Sequence, residues 1–189
     1  PHRILCQLWI WFDRTARNKF EKNEIDLLWK QKEDKYYQIV LMLIYSGVRI
    51  SELLDLKKEN VHLDEQYFDV ICSKTENGIR KVPIADKVLP YYKAGMNPAL
   101  NVNICFTQKT ESIFSTETTI IAISSHLWNS SILIAHLTAA DIMYLNLAEV
   151  GINQTIIKKI VGHSGAMTLT EKVYTHFDIK ELVDAINQI

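Results

Sequence analysis

Ile44-Tyr45-Ser46-Gly47-Val48-Arg49-Ile50-Ser51-Glu52-Leu53-Leu54-Asp55-Leu56 is the stretch on which the reading of the fold turns. It joins two helical patterns through a glycine. Residues 35–45 carry Ile39, Leu41, Met42 and Ile44 in a run apolar enough for a buried helix. Gly47 ends that helix, because glycine takes the left-handed backbone of a helix terminus without steric cost. Ser51 or its neighbours start a second helix, with Leu53, Leu54 and Leu56 turned inward. Arg49 stands in the connection, where it can pair with Glu52 one turn on.

Downstream, residues 67–72 (YFDVIC) and 80–84 (RKVPI) read as strands separated by Ser73-Lys74-Thr75-Glu76-Asn77-Gly78, whose Asn-Gly is a strong hairpin signal. The hairpin carries Lys74 near one strand end, and Pro83, which has no N–H to donate, places the second strand at an edge or exit. A helix resumes over 85–93. Upstream, Asn23 is a cap candidate for a helix with Ile25, Leu27 and Leu28 at helical spacing. Residues 1–19 mix aromatic, apolar and basic residues without a period and read as a linker or the remnant of an upstream domain.

Between 101 and 145 the texture changes: few charges, no clean period, and turn residues in poor places, as though the segment came from another protein. Order returns after Gly151. Asn153 caps a helix with Ile156, Ile157, Ile160 and Val161 on one face, and Asp178 caps a last helix with Ile179, Leu182, Val183, Ile186 and Ile189 inward. The chain therefore reads as mainly α with a small antiparallel β-sheet and an atypical central segment.

Composition excludes several classes. With 189 residues, 48% hydrophobic and 23% charged, the chain holds one sizeable core and is neither disordered nor fibrous. Its longest apolar run, 39–45, is too short to span a bilayer, and residues 4–12 lack a signal-cleavage pattern, so a cytoplasmic, non-membrane protein is expected. Three cysteines without a CxxC pair speak against a disulfide framework or thiolate metal site. A net charge of −1 announces no nucleic acid, so a phosphate-binding surface must come from local clusters. Lys57-Lys58, Arg80-Lys81 and Lys158-Lys159 are such clusters, each by default a solvated face. The spacings of His126, His136, His163 and His176 match no zinc pattern.

Near the C-terminus, His163 follows Gly162, and Tyr174 lies in Lys172-Val173-Tyr174-Thr175-His176-Phe177-Asp178. Singly these residues are bland: His163 as a cap, Tyr174 as a half-buried aromatic, Lys74 as a solvated lysine. Taken in order, IYSGVRISELLDL, SKTENGIRKVPI, KKIVGHSG and KVYTHFD resemble the catalytic domain of the tyrosine-type site-specific recombinases, the phage and conjugative-transposon integrases. The match covers 20–93 and 148–189 and implies an integrase-like catalytic domain over 20–189, and that the upstream domain of which residues 1–19 are the linker or remnant is DNA-binding.

The resemblance implies that Tyr174 is the nucleophile, with Arg49, Lys74 and His163 around the scissile phosphate. Cationic donors must hold the non-bridging oxygens of an anionic phosphodiester and stabilise the charge that grows in the pentacoordinate transition state. Tyr174 would form a 3′-phosphotyrosine and release a 5′-hydroxyl, Lys74 would protonate that leaving oxygen, and His163 would hydrogen-bond the phosphate or assist proton transfer. The bond energy stays in the phosphotyrosine, so neither metal nor nucleotide cofactor is implied. The implied partners are double-stranded DNA at a recombination site and further protomers, the latter through the last helix, 178–189.

One family motif is broken. Its second element is a histidine, two residues and an arginine; here His136 stands for the histidine, while Ala139 and Ala140 fill the arginine's place. Losing one oxyanion-stabilising donor typically costs about 2.7–4 kcal/mol, so low or no activity is expected. One back-translation of residues 136–144, shifted by two bases, reads FDCRRHYV, close to the family's HDCRHT. Two compensating frameshifts, near Asn101 and Leu145, would explain the break; stops or unrelated residues in the shifted coding DNA would overturn that account. The rival readings are a non-catalytic DNA-binding or protomer-docking relic and an inert product that folds poorly.

Overall fold

The computed structural model describes residues 22–71, 79–96, 130–162 and 177–189. Helix α1 (Lys22–Lys30) leads into α2 (Lys35–Ser46), then α3 (Ile50–Leu54) and a 3-10 turn (Lys58–Asn60). Strands β1 (Val61–His62), β2 (Tyr67–Val70) and β3 (Arg80–Pro83) follow, then helices α4 (Leu89–Met96), α5 (Ser130–Glu149), α6 (Gln154–Val161) and α7 (Ile179–Ile186). Mostly helical with a three-stranded antiparallel sheet, the architecture is the one the sequence implied.

α2 is the central element. The Asp34 carboxylate accepts from the Tyr36 N–H at 2.8 Å and opens the helix; Gly47, at φ 63°, closes it by donating its N–H to the Leu43 carbonyl at 2.9 Å. Every residue from Ile39 to Ser46 is buried, so α2 is surrounded rather than amphipathic. Its largest neighbour is α5, which turns Ala139, Ile142, Met143 and Leu147 inward at helical spacing. Most of this helix, residues 130–145, lies inside the stretch whose sequence carries no clean period. The reason is physical: an apolar residue on nearly every side leaves no polar face to mark the period.

The sheet runs in the order β1-β2-β3, with Phe68 opposite Val82 and Val70 opposite Arg80. Phe68, Val70 and Val82 face the core, and Phe68 stacks on Tyr92 of α4 with ring centroids 5.6 Å apart. Among the described strands β3 is an edge, and it ends at Pro83, as a residue without an N–H requires.

α6 begins at Asn153, whose side chain accepts from the Thr155 N–H at 2.8 Å, and stops at Gly162, at φ 79°. In α7, Glu181 accepts from the Asp178 N–H at 3.2 Å, and Leu182, Val183, Ala185 and Ile186 are buried against β3 and α6. The chain beyond α7 is tied down as well: the Asn187 side-chain oxygen accepts from the Asp86 N–H at 2.8 Å, and Lys87 Nζ donates to the Ile189 carbonyl. The apolar stripe of the last helix is therefore spent on its own body. Among the described residues, no helix is long and apolar enough to cross a membrane.

Candidate active site

Arg49 is placed by the turn between α2 and α3, and Gly47 lets that turn sit deep. A Cβ on Gly47 would lie 3.1 Å from Met143 Cβ and 3.4 Å from Val161 Cγ1, so only a residue without one lets the turn approach α5 and α6 this closely. Arg49 then takes the cap position of α3. Its backbone N–H donates to Glu52 Oε2 at 3.1 Å, and its Nη1 donates to Glu52 Oε1 at 3.0 Å. The ion pair with Glu52 that the spacing allowed is formed. It does not bury the arginine: the Arg49 side chain is 68% exposed, whereas that of Glu52 is 4% exposed.

A second arginine meets the same carboxylate. Arg80, the first residue of β3, shares the inward face of the strand with Val82 because side chains alternate along a strand. Its Nη2 donates to Glu52 Oε2 at 3.2 Å, and its Nε donates to the Ile160 carbonyl near the end of α6 at 3.1 Å. The side chain is 9% exposed. Of the Arg80-Lys81 cluster, expected to be a solvated face, only Lys81 is one. Lys81 reaches the Tyr67 hydroxyl at 3.2 Å, and that hydrogen bond holds its ammonium above the ordinary lysine value.

Arg80 also occupies the space beside Gly162. A Cβ there would stand 3.0 Å from Arg80 Nε and 3.1 Å from its Cδ and Cζ, so the guanidinium lies flat against the glycine that ends α6. Gly162 immediately precedes His163 in the chain. On the same helix end, Lys159 Nζ lies 5.7 Å from the ring centre of Phe177, where the described chain resumes. The α3 N-terminus, the start of β3 and the flanks of the segment that carries His163 and Tyr174 are thus brought together.

Of the expected site residues, Arg49 stands exposed at the start of α3. Lys74, His163 and Tyr174 lie outside the described residues, as do His126 and His176. His136 lies on the backbone of α5. Ala139, expected in the arginine's place, is 3% exposed and part of the core, and Ala140 is half-buried beside it. Among the described residues, no three His, Cys, Asp or Glu side chains come together as a metal ion would need.

Two residues of this arrangement were not singled out by sequence reasoning. Glu52 appears there only as a pairing partner for Arg49, and Arg80 only within a charged cluster. The signal for Arg80 is its register: it stands two residues before the inward Val82, and a charged side chain at an inward position must find partners.

The profile of the Phage integrase family matches residues 18–181, and the chain belongs to that family. Two solved structures share the fold. XerA recombinase superposes with a TM-score of 0.59 at 22% identity, covering 94% of this chain and 65% of that one. The Tn1549 transposon integrase, solved in complex with transposon right end DNA, superposes with a TM-score of 0.58 at 18% identity, covering 97% of this chain and 70% of that one. The chain therefore spans slightly less than two thirds of the length of the XerA chain. No curated protein matches it.

Proposed function

We propose that this chain carries out site-specific DNA recombination, cutting and rejoining strands through a 3′-phosphotyrosine on Tyr174. The observation that supports it most is Arg49: in a member of the integrase family, an arginine stands largely exposed on a buried carboxylate base at the start of α3. Its rigid fork receives the non-bridging oxygens of the scissile phosphate. Lys74 protonates the leaving 5′-oxygen, and His163 hydrogen-bonds the phosphate. Double-stranded DNA at the recombination site of a mobile element is the substrate, in the cytoplasm, a reading supported by the DNA-bound state of the Tn1549 integrase.

Further protomers take part. Because the apolar face of α7 is buried in its own body, a protomer contact through 178–189 uses its outward residues, such as Lys180 and Asp184, or requires the helix to leave.

The rate is depressed by about two to three orders of magnitude, the usual cost of one missing oxyanion donor, because Ala139 and Ala140 offer none. The buried Ala139 also favours a second reading, a DNA-binding relic without chemistry. A suicide duplex that traps the covalent intermediate separates the two. Trapped DNA that disappears in Tyr174→Phe supports strand transfer; salt-dependent binding without trapping supports the relic.

A further inference from the structure

We propose that Arg80 is a positioning residue that sets the charge of the anion site. It neutralises Glu52 from inside, so that the exposed Arg49 guanidinium stays available to an oxyanion, and it fixes that arginine relative to the end of α6. The inference deepens the strand-transfer reading and rests on it for the identity of the anion, a DNA phosphate.

Two guanidinium groups share one carboxylate: Arg49 Nη1 binds Oε1 at 3.0 Å and Arg80 Nη2 binds Oε2 at 3.2 Å. Two positive charges against one negative leave the trio with a net positive charge. Its members are unequally placed, because Glu52 and Arg80 are withdrawn from water while Arg49 stands in it. A carboxylate so buried needs a cation. With Arg80 present, the inner partner supplies it, and the uncompensated charge appears at the outer arginine. Without Arg80, Arg49 would be the one cation on Glu52 among the described residues, the pair would be neutral, and an incoming anion would have to compete with a buried carboxylate for the same guanidinium.

Geometry gives Arg80 a second task that lysine would perform poorly. Its fork points one donor at Glu52 and another at the Ile160 carbonyl, while its flat face lies against Gly162. The carboxylate that holds Arg49 and the helix end that leads to His163 are therefore held by one side chain.

The test is the rate at which phenylglyoxal modifies Arg49 in the full chain, read by peptide mass spectrometry with and without inorganic phosphate. It compares the unsubstituted chain with Arg80→Gln, Arg80→Lys and the double variant Glu52→Gln/Arg80→Gln. Phosphate should slow modification of Arg49 severalfold in the unsubstituted chain and in Arg80→Lys. The protection should be lost in Arg80→Gln and regained in the double variant, where the competing carboxylate is gone. A merely structural role would not give that recovery, since the double variant removes two anchoring groups instead of one.

Protection that persists in Arg80→Gln, is absent from the unsubstituted chain, or is not regained in the double variant overturns the proposal. Should Arg80→Gln fail to fold, the double variant and Arg80→Lys decide: protection in both supports the charge assignment, and its absence from either overturns it. No step of this test needs strand cleavage. A chain that shows phosphate protection but traps no DNA would overturn the strand-transfer reading and leave the role of Arg80 standing.

Discussion

The two sides of the candidate site are built to opposite rules. On the α3 side, Arg49 is held out into solvent by a buried carboxylate that a second arginine neutralises. On the α5 side, Ala139, which we propose stands in the place of the family's second arginine, is packed in the core with Ile142 and Met143. One side presents an exposed guanidinium and the other a hydrophobic interior. The difference teaches that fold and chemistry are separable here. An apolar α5 still covers α2, while the proposed cationic cradle takes a donor from the α3 side and none from residues 139 and 140 on the α5 side.

The comparison can be broken most sharply at the α5 side. Met143→Ala should lower stability by about 2–5 kcal/mol, the usual cost of truncating a buried long side chain, as read by denaturant unfolding. A loss below about 0.5 kcal/mol, the ordinary range of surface substitutions, would mean that α5 does not close the core.

A smaller effect is expected where the two sides meet. Gly47→Ala places a Cβ 3.1 Å from that of Met143 on a backbone at φ 63°. Left-handed strain and overpacking together should cost about 1–3 kcal/mol, measured the same way. An unchanged midpoint would show that the Arg49 turn is not pressed against α5 as described.

Smallest, and on the α2 side only, is an alkaline effect. Burial pushes the hydroxyls of Tyr45 and Tyr92 above the ordinary tyrosine value of 10.0, opposed at Tyr45 by the hydrogen bond from Trp29 and at Tyr92 by Ser46. The fold favours the protonated form, so this contribution is complete below the unfolded value and is lost as pH rises through the folded ones. Stability should hold up to about pH 10 and decline above it, with the last part of the tyrosinate absorbance appearing together with unfolding. Tyrosinate absorbance that reaches the level of all eight tyrosines while the chain is still folded would contradict the burial.

What was legible in the sequence follows local signals. Gly47, Asn153, Gly162 and Asp178 mark helix ends because each supplies a backbone conformation or a cap that few residues offer, and the structure uses all four. The strand pair was legible from its two strand-like runs around Asn77-Gly78 and from Pro83, which ends β3. α5 was not legible, because a helix apolar nearly all round has no face to report its period. Arg80 was misread because adjacent basic residues look solvated, and only the strand register separates the inward arginine from the outward lysine. For the candidate site, the pairing of Arg49 with Glu52 was readable from spacing. That Glu52 is buried and shared depends on β3 and α6 arriving from far along the chain, which no local pattern encodes.

The central claim is that the anion-binding side of this site rests on Arg49 while the alanine side contributes no charge. Single-turnover cleavage of a suicide duplex by Arg49→Ala and Ala140→Ser tests it most directly. Arg49→Ala should lower the rate by about two to three orders of magnitude, the loss expected for a transition-state oxyanion donor, and Ala140→Ser should leave it nearly unchanged. A rate that survives Arg49→Ala, or a chain that forms no covalent complex at all, would contradict the account.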